Sequence, residues 1–329
     1  MKEPSLMQKN LWEFMNYDRF FTSVSVPELN QLDSFSERFG FIGSCFSDHM
    51  SQRFQRHGLH AWTSPFGTTY NPVSIVNQLI GSIDLSFKFT SNEHNGMHFY
   101  WETSHALARL SMEQLLIETT NIRKSTYQEL SQMSILFITL GTAWVYEHIS
   151  SNTLVSNCHK VPSTQFTKRL LTVAEITNAI QDLLNRLQPI NPFLNLVLTV
   201  SPVRHLRDGL VENARSKARL IEACHQLKEA NLGVQYFPAY ELVIDELRDY
   251  RYYESDGMHP SALAIDHVWD KLAAALFHPD FRVLLNEVSS IKQMENHHFT
   301  AHSSPHSIQA HQELIAKRKH ALSAHPIHW

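Results

Sequence analysis

Short continuous apolar runs along this chain are each followed by longer stretches with helical spacing. Phe39 to Ile42, Ile135 to Leu140, Leu194 to Val200 and Val234 to Ala239 read as buried strands, because a strand covered on both faces loses its two-residue alternation. Helical periodicity is predicted over Asp48 to His57, which stops at Gly58 as a helix C-terminus should, and over Val73 to Ile80 and Met112 to Gln132. It returns over 173–188, where Val173, Ile176, Ile180, Leu183, Leu184 and Leu187 share a face, and over 210–231, Glu241 to Arg248 and Ala262 to Phe277. Strands alternating with helices predict an α/β protein, a three-layer α/β/α sandwich with a mostly parallel sheet. Residues 86–109 interleave polar and aromatic positions without helical period, which suits a lid inserted over a site or a plain surface hairpin.

Outside this core the pattern weakens. Residues 1–35 read as an arm whose aromatics (Trp12, Phe14, Tyr17, Phe20, Phe21) pack on the body, and 36–285 form the main domain. From 286 to 329 the chain becomes a histidine-rich tail, predicted to be flexible, whose spacings match no tight zinc signature.

Composition narrows the partners. The 329 residues are 43% hydrophobic and 18% charged, as expected of a chain that buries a sizeable core. A net charge of −4 supplies neither a basic surface for nucleic acid nor a polybasic membrane anchor. The first residues lack the basic start and apolar core of a signal peptide, and no apolar run approaches the ~18 residues of a membrane helix. Three cysteines without a C-x-x-C pair suggest reduced thiols and a cytoplasmic protein. No cofactor is implied.

The candidate chemistry is concentrated in two places. Gly43-Ser44-Cys45 follows the first strand and opens a helix, so Cys45 stands on a strand-to-helix turn where the first helical amides should lower a thiol pKa. Far downstream, Asp256 and His259 have the spacing by which a carboxylate orients an imidazole one turn later. His205, just past the third strand, is a rival base, and Arg204 beside it either grips an anionic substrate group or pairs with a structural acid. Cys158 and His159 are adjacent and would face opposite sides of a strand, which argues against a dyad.

These motifs resemble the GSCFA family, an offshoot of the GDSL/SGNH hydrolases. Gly43-Ser44-Cys45-Phe46-Ser47 is similar to its signature, and Asp256-Gly257-Met258-His259-Pro260 to its final D-x-x-H block, within a resemblance covering roughly 36–280. The intermediate blocks are Pro65 to Pro72, Thr139 to Trp144, Asn157 to Lys160 and Ser201 to His205. On the hydrolase G-D-S block Ser44 takes the aspartate's place and Cys45 the nucleophilic serine's, and Gly67 is the candidate for a backbone oxyanion donor. The G-x-N-D block is altered: Ala143 stands where the relatives carry the oxyanion asparagine. Loss of one such donor typically costs about 2.7–4 kcal/mol of transition-state stabilisation, so Thr142, Asn71 or a backbone amide must substitute.

The resemblance thus implies an acyl hydrolase or acyltransferase for a small-molecule or glycan ester or thioester. Cys45, Asp256 and His259 would be catalytic, with Ser44 as the rival nucleophile, and Ser44, Gly67, Asn71, Thr142, Arg204 and His205 would line the site. Two other readings stay open: a catalytically lapsed small-molecule binding protein, and a zinc hydrolase using His159, His205 and His259.

Overall fold

In the computed structural model, which describes residues 22–297, 299 and 304–329, the strands are β1 (Arg38–Gly43), β2 (His60–Thr63), β3 (Ser91–His94), β4 (Met97–Tyr100), β5 (Ile135–Leu140), β6 (Trp144–His148), β7 (Thr153–Val155), β8 (Phe166–Leu170), β9 (Asn195–Val200) and β10 (Val234–Phe237). The longer helices are α1 (Cys45–Arg56), α2 (Pro72–Ile83), α3 (Met112–Leu130), α4 (Val173–Leu187), α5 (Leu210–Ala230), α6 (Ala262–Leu276), α7 (Pro279–Glu295) and α8 (Pro305–Ala321). The central sheet has the order β10-β9-β5-β1-β2, with every neighbouring pair parallel. All four predicted strands are present. The fifth, β2, is a half-exposed edge strand, so it carries no continuous apolar run.

Side chains alternate across this sheet. Phe39, Phe41, Ile135, Phe137, Val197 and Phe237 face a layer made by α1, α6 and α7. Ile42, Leu136, Ile138, Leu140, Leu196 and Leu198 face the layer of α2, α4 and α5. Phe41 stacks on Phe137 at 4.8 Å, and Phe54 of α1 meets Phe39, Phe41 and Trp269 edge-on at 4.8, 4.9 and 5.2 Å. Phe54 therefore locks the helix that begins at Cys45 onto the sheet. Truncating such a side chain to alanine costs about 3–5 kcal/mol.

Chain order places the site. From β1 the chain steps to β2 on one side, and then to β5 on β1's other side. The strand order reverses between β1 and β5, and in open α/β sheets the crevice outside the strand carboxyl ends at such a point binds ligands.

Residues 86–109 contain the antiparallel hairpin of β3 and β4, and β7-β6-β8 form a second small antiparallel sheet. The two insertions share a core of Phe99, Trp101, Val155, Val161 and Phe166. They are tied to the loop after β2. The Ser104 amide donates to Phe66 O, and the buried Gln78 carboxamide links Thr69 Oγ1 to Glu102 O at 2.9 and 2.6 Å. Glu102 itself is 3% exposed and accepts the Thr90 amide at 2.9 Å.

The C-terminal segment differs from the expected loose tail. A boundary at 286 cuts through α7, whose Phe281, Leu285, Val288 and Ile291 are buried against the first layer. Helix α8 adds a bidentate Arg318–Glu287 pair at 2.7 Å, and the His328 amide donates to Gly58 O. Polar residues interrupt this i, i+4, i+7 apolar stripe, and the histidines that follow it obscured the pattern. Of the N-terminal arm, 22–35 is bonded to the body through Val24 to Glu246 and Leu29 to Ala275, and its aromatic cluster from Trp12 to Phe21 lies outside the described residues. No helix among the described residues is long and apolar enough to cross a membrane.

Candidate active site

The turn after β1 is possible only with glycine at its pivot. Gly43 has φ +133, and a Cβ there would lie 2.1 Å from the carbonyl oxygen of Thr139. This close approach lets the Ser44 amide donate to that oxygen at 3.1 Å, while Gly43 O accepts the Thr69 amide at 2.9 Å. Ser44 then N-caps α1 through its backbone alone; its side chain makes no cap bond, is 0% exposed, and leaves Oγ without a partner among the described residues. Cys45 follows with partial exposure. Of the two nucleophile candidates, only the thiol has an approach from outside.

The electrostatics of Cys45 depart from the helix-terminus expectation. Burial pushes the thiol up from its ordinary value, with the Asp48 carboxylate adding to it, and the amides of Cys45 and Phe46 and the charge of Lys217 only partly offset this. Desolvation disfavours the thiolate more than the half-charge of a helix start favours it. In the free protein Cys45 is therefore a protonated thiol at neutral pH.

Asp256 and His259 make a close pair in a tight loop. Asp256 Oδ1 accepts the amides of Met258 and His259 at 2.7 and 3.0 Å, and Oδ2 meets His259 Nδ1 at 2.6 Å. These bonds, the imidazole's first, hold the Asp256 carboxyl down at about 2, so it is ionised across the physiological range. With Nδ1–H committed to the carboxylate, Nε2 is the nitrogen free to exchange a proton. The Arg204 amide donates to Met258 O at 3.1 Å, which ties the loop to the end of β9. His259 also lies near enough to His49, one turn beyond Cys45 on α1, for its charge to count there, and it acts on His205 as well.

His205 differs as a base. Burial first, then Lys217 and His259, bring it down to about 4, and its ring meets Tyr70 edge-on at 5.5 Å with Nε2 buried and without a partner among the described residues. It is a neutral imidazole at pH 7 with no carboxylate hydrogen-bonded to its ring among the described residues. Arg204 stacks over Tyr253 at 4.4 Å and stands 5.6 Å from the Tyr250 ring, with no ion-pair partner among the described residues.

The proposed substitute donors are mostly engaged elsewhere. Asn71 N-caps α2, accepting the Ser74 amide at 2.8 Å and donating to Ser74 Oγ at 2.9 Å. The Thr142 hydroxyl bonds Ser216 Oγ and accepts the Trp144 amide, both at 3.1 Å, and the Gly141 and Thr142 amides both donate to Tyr70 O. Ala143 is 0% exposed and points into the core, its amide donating to Ser216 Oγ at 2.7 Å. Gly67 takes φ +80 in a turn where Ser104 Oγ would sit 2.2 Å from an added Cβ, which by itself requires glycine.

The zinc triad does not assemble: His159 stacks on Phe99 at 3.9 Å in the insertion core, and the described residues hold no metal-ready cluster of His, Cys, Asp or Glu. Two cavities, of about 330 and 420 Å³, open at the amino-terminal edge of the sheet around Ser134 and Leu194, away from this chemistry. Sequence reasoning missed Ser216 and Lys217. Their signal was the spacing of Asn213, Lys217, Leu220, Cys224 and Leu227, which puts a lysine on the buried stripe of α5.

The GSCFA family model matches residues 38–272. Comparison with curated proteins gives no match. Among solved structures, the chain is similar to an acetyl xylan esterase (Est2A) from the rumen bacterium Butyrivibrio proteoclasticus, at 11% identity over 77% of this chain and 64% of that one, TM-score 0.42. It is also similar to a carbohydrate esterase family 2 enzyme with a carbohydrate binding domain from Corynascus thermopiles (Myceliophthora fergusii), at 11% identity over 80% and 69%, TM-score 0.34. A carbohydrate esterase family 3 protein from Talaromyces cellulolyticus matches at 10% identity over 48% and 65%, TM-score 0.27. The chain spans just under two thirds of the length of the Butyrivibrio and Talaromyces proteins.

Proposed function

The chain belongs to the GSCFA family, and on that premise we propose that it is an acyl hydrolase or acyltransferase that forms a covalent acyl-enzyme on Cys45. The observation that carries this reading is the Asp256–His259 pair, held by one side-chain and two backbone hydrogen bonds in a loop that the Arg204 amide ties to the end of β9. His259 Nε2 takes the thiol proton, and Sγ attacks the ester or thioester carbonyl carbon. The tetrahedral oxyanion collapses, the bond to the leaving group breaks, and His259 returns the proton to the departing oxygen or sulfur. Asp256 keeps the imidazole oriented and stabilises its charged form.

The α1 amides left free by the helix start, that of Cys45 above all, receive the oxyanion, with Gly67 as the second donor. Arg204, without an acidic partner among the described residues, holds an anionic group on a small-molecule or glycan substrate. Asn71, Thr142 and His205 frame the site, and Ser44 supports the turn from behind. Water or a second substrate resolves the acyl-enzyme. The reading includes a cytoplasmic setting, in which all three cysteines remain free thiols.

The test is intact-mass analysis after reaction with a small activated acyl ester, followed by mapping of the adduct. An adduct on Cys45 that vanishes in Cys45→Ala and persists in Ser44→Ala is expected; one that survives Cys45→Ala unchanged would remove the thiol from its role. A lapsed binding protein is the second reading, favoured by the upward-shifted thiol and the inward-facing Ala143. Thermal stabilisation by acyl donors without turnover or adduct would support it.

A further inference from the structure

Thr69 is a buried residue that the mechanism above leaves unused. It is 0% exposed and stands in the loop after β2, two places past Gly67. Its amide donates at 2.9 Å to the carbonyl of Gly43, directly before Ser44 and Cys45. Its hydroxyl is a meeting point. Gln78 Nε2 donates to Oγ1 at 2.9 Å, Ser156 Oγ lies at 3.3 Å, and Gly67 O and Gln78 Oε1 are in reach of its proton at 3.4 and 3.3 Å. Gln78 Nε2 also donates to Glu102 O at 2.6 Å, and the Ser156 amide donates to Trp101 O at 2.7 Å.

Hydrogen-bond counting excludes a role at the substrate. A hydroxyl has one donor and two acceptor positions, fewer than the polar atoms gathered around Thr69 Oγ1, so nothing is left for a bound molecule. What its bonds join is the informative part. The backbone of Thr69 holds the turn that carries Cys45. Its hydroxyl holds the Gly67 turn, α2 through Gln78, and both insertions, one at Glu102 after β4 and the other at Ser156 after β7. A second tether of the Cys45 turn, the Ser44 amide on Thr139 O, leads into the sheet. The tether through Thr69 leads to the insertions.

We propose that Thr69 is a positioning residue for Cys45: it fixes the turn that carries the thiol against the two insertions, which thereby help set where the sulfur stands. This rests on the reading of Cys45 as the reactive group, although the tether itself is measurable without turnover. The insertions are then part of the frame of the site rather than a freely moving lid. Loss of the hydroxyl leaves the backbone bond to Gly43 available but unhooks the loop from Gln78 and Ser156, so the turn opens more often. A nucleophile misplaced by about 1 Å costs on the order of 100-fold in rate. The loosened turn therefore lowers kcat while substrate binding is retained.

The experiment compares the full wild-type chain with Thr69→Val, which keeps the volume, and Thr69→Ser, which keeps the hydroxyl. Hydrogen–deuterium exchange with single-residue fragmentation follows the Ser44 amide, with the Leu196 amide, bonded to Gly233 O at the amino-terminal edge of the sheet, as control. Turnover is measured with a small activated acyl ester. In Thr69→Val the Ser44 amide should exchange about tenfold faster while Leu196 stays as it was. The kcat should fall about 10- to 100-fold at nearly constant KM, and Thr69→Ser should restore most of both. Unchanged Ser44 exchange in folded Thr69→Val, or faster exchange with unchanged kcat, overturns the proposal. So does an equal rise at Ser44 and Leu196 with kcat tracking the folded fraction, which leaves Thr69 a packing residue. Where Thr69→Val fails to fold, Ser156→Ala, which removes a half-buried partner, decides: faster Ser44 exchange supports the tether, and unchanged exchange refutes it. In a protein that forms no acyl adduct, faster Ser44 exchange in the variant keeps the tether and removes the acyl-enzyme; unchanged exchange with a normal adduct does the reverse.

Discussion

Glu102 offers a perturbation whose size can be worked from its surroundings. Its carboxyl is buried beneath the hairpin insertion and accepts the Thr90 amide, while its own carbonyl accepts Gln78, which in turn donates to Thr69 beside the Cys45 turn. Burial raises Glu102 from 4.5 to about 7, more than its hydrogen bonds with Thr90 and the charge of Arg123 can offset. Because the folded-state value is raised for an acid, the folded protein binds the proton more tightly than the unfolded chain. Stability is therefore highest below the ordinary value and is lost as the pH rises from there to about 7. A shift from 4.5 to about 7, at about 1.4 kcal/mol per unit, makes this loss about 3 kcal/mol.

Glu102→Gln keeps an acceptor for Thr90 and abolishes the ionisation. Urea unfolding of both proteins should give similar free energies at pH 4, and the variant should be more stable by about 2–3 kcal/mol at pH 8, after allowing up to about 1 kcal/mol for the weaker amide acceptor. A variant that is less stable than wild type at pH 8, or that retains the wild-type slope between pH 4.5 and 7, would show that the buried carboxyl is relieved by water or by Arg123 and would sink the argument.

His159 should act in the opposite sense. Burial against Phe99 lowers it to about 4, so the stability it contributes is present above its ordinary value of 6.5 and is lost as the pH falls from there to about 4; urea titrations should show a loss of up to about 3 kcal/mol over that window that His159→Leu flattens. Ser216→Ala removes the buried partner of the Ala143 amide and the Thr142 hydroxyl and should lower stability by about 1–3 kcal/mol, so an unchanged unfolding midpoint would count against that network. For Arg204→Met, the KM for an ester bearing a carboxylate should rise about 10- to 100-fold with little change in kcat or in the hydrolysis of neutral esters, and an equal loss on both substrate types would assign Arg204 to the fold.

Four central strands, the glycine turn that carries Cys45 and the Asp256–His259 loop can all be read from the chain, because each depends on neighbours a few positions away: an apolar run, a residue that tolerates positive φ, a carboxylate three places before an imidazole. The short edge strand β2 and helix α7 were harder. One has too little buried face to leave a pattern, and the other has its apolar stripe interrupted by polar residues and followed by histidines. The candidate site divides in the same way. Which residues gather at the carboxyl edge follows from strand order, but their ionisation does not. Burial dominates the shifts of Cys45, His205 and Lys217, and charges distant in sequence act alongside it, Lys217 on Cys45 and His259 on His205, so no local window contains these effects. Hence the helix start alone predicted a lowered thiol, whereas the packed protein raises it. Likewise the spacing of α5 put Lys217 on a buried stripe, but only the folded chain set it against the carbonyls of Gly141 and Ser201, since these acceptors lie just past the ends of β5 and β9, outside the helix that carries the lysine.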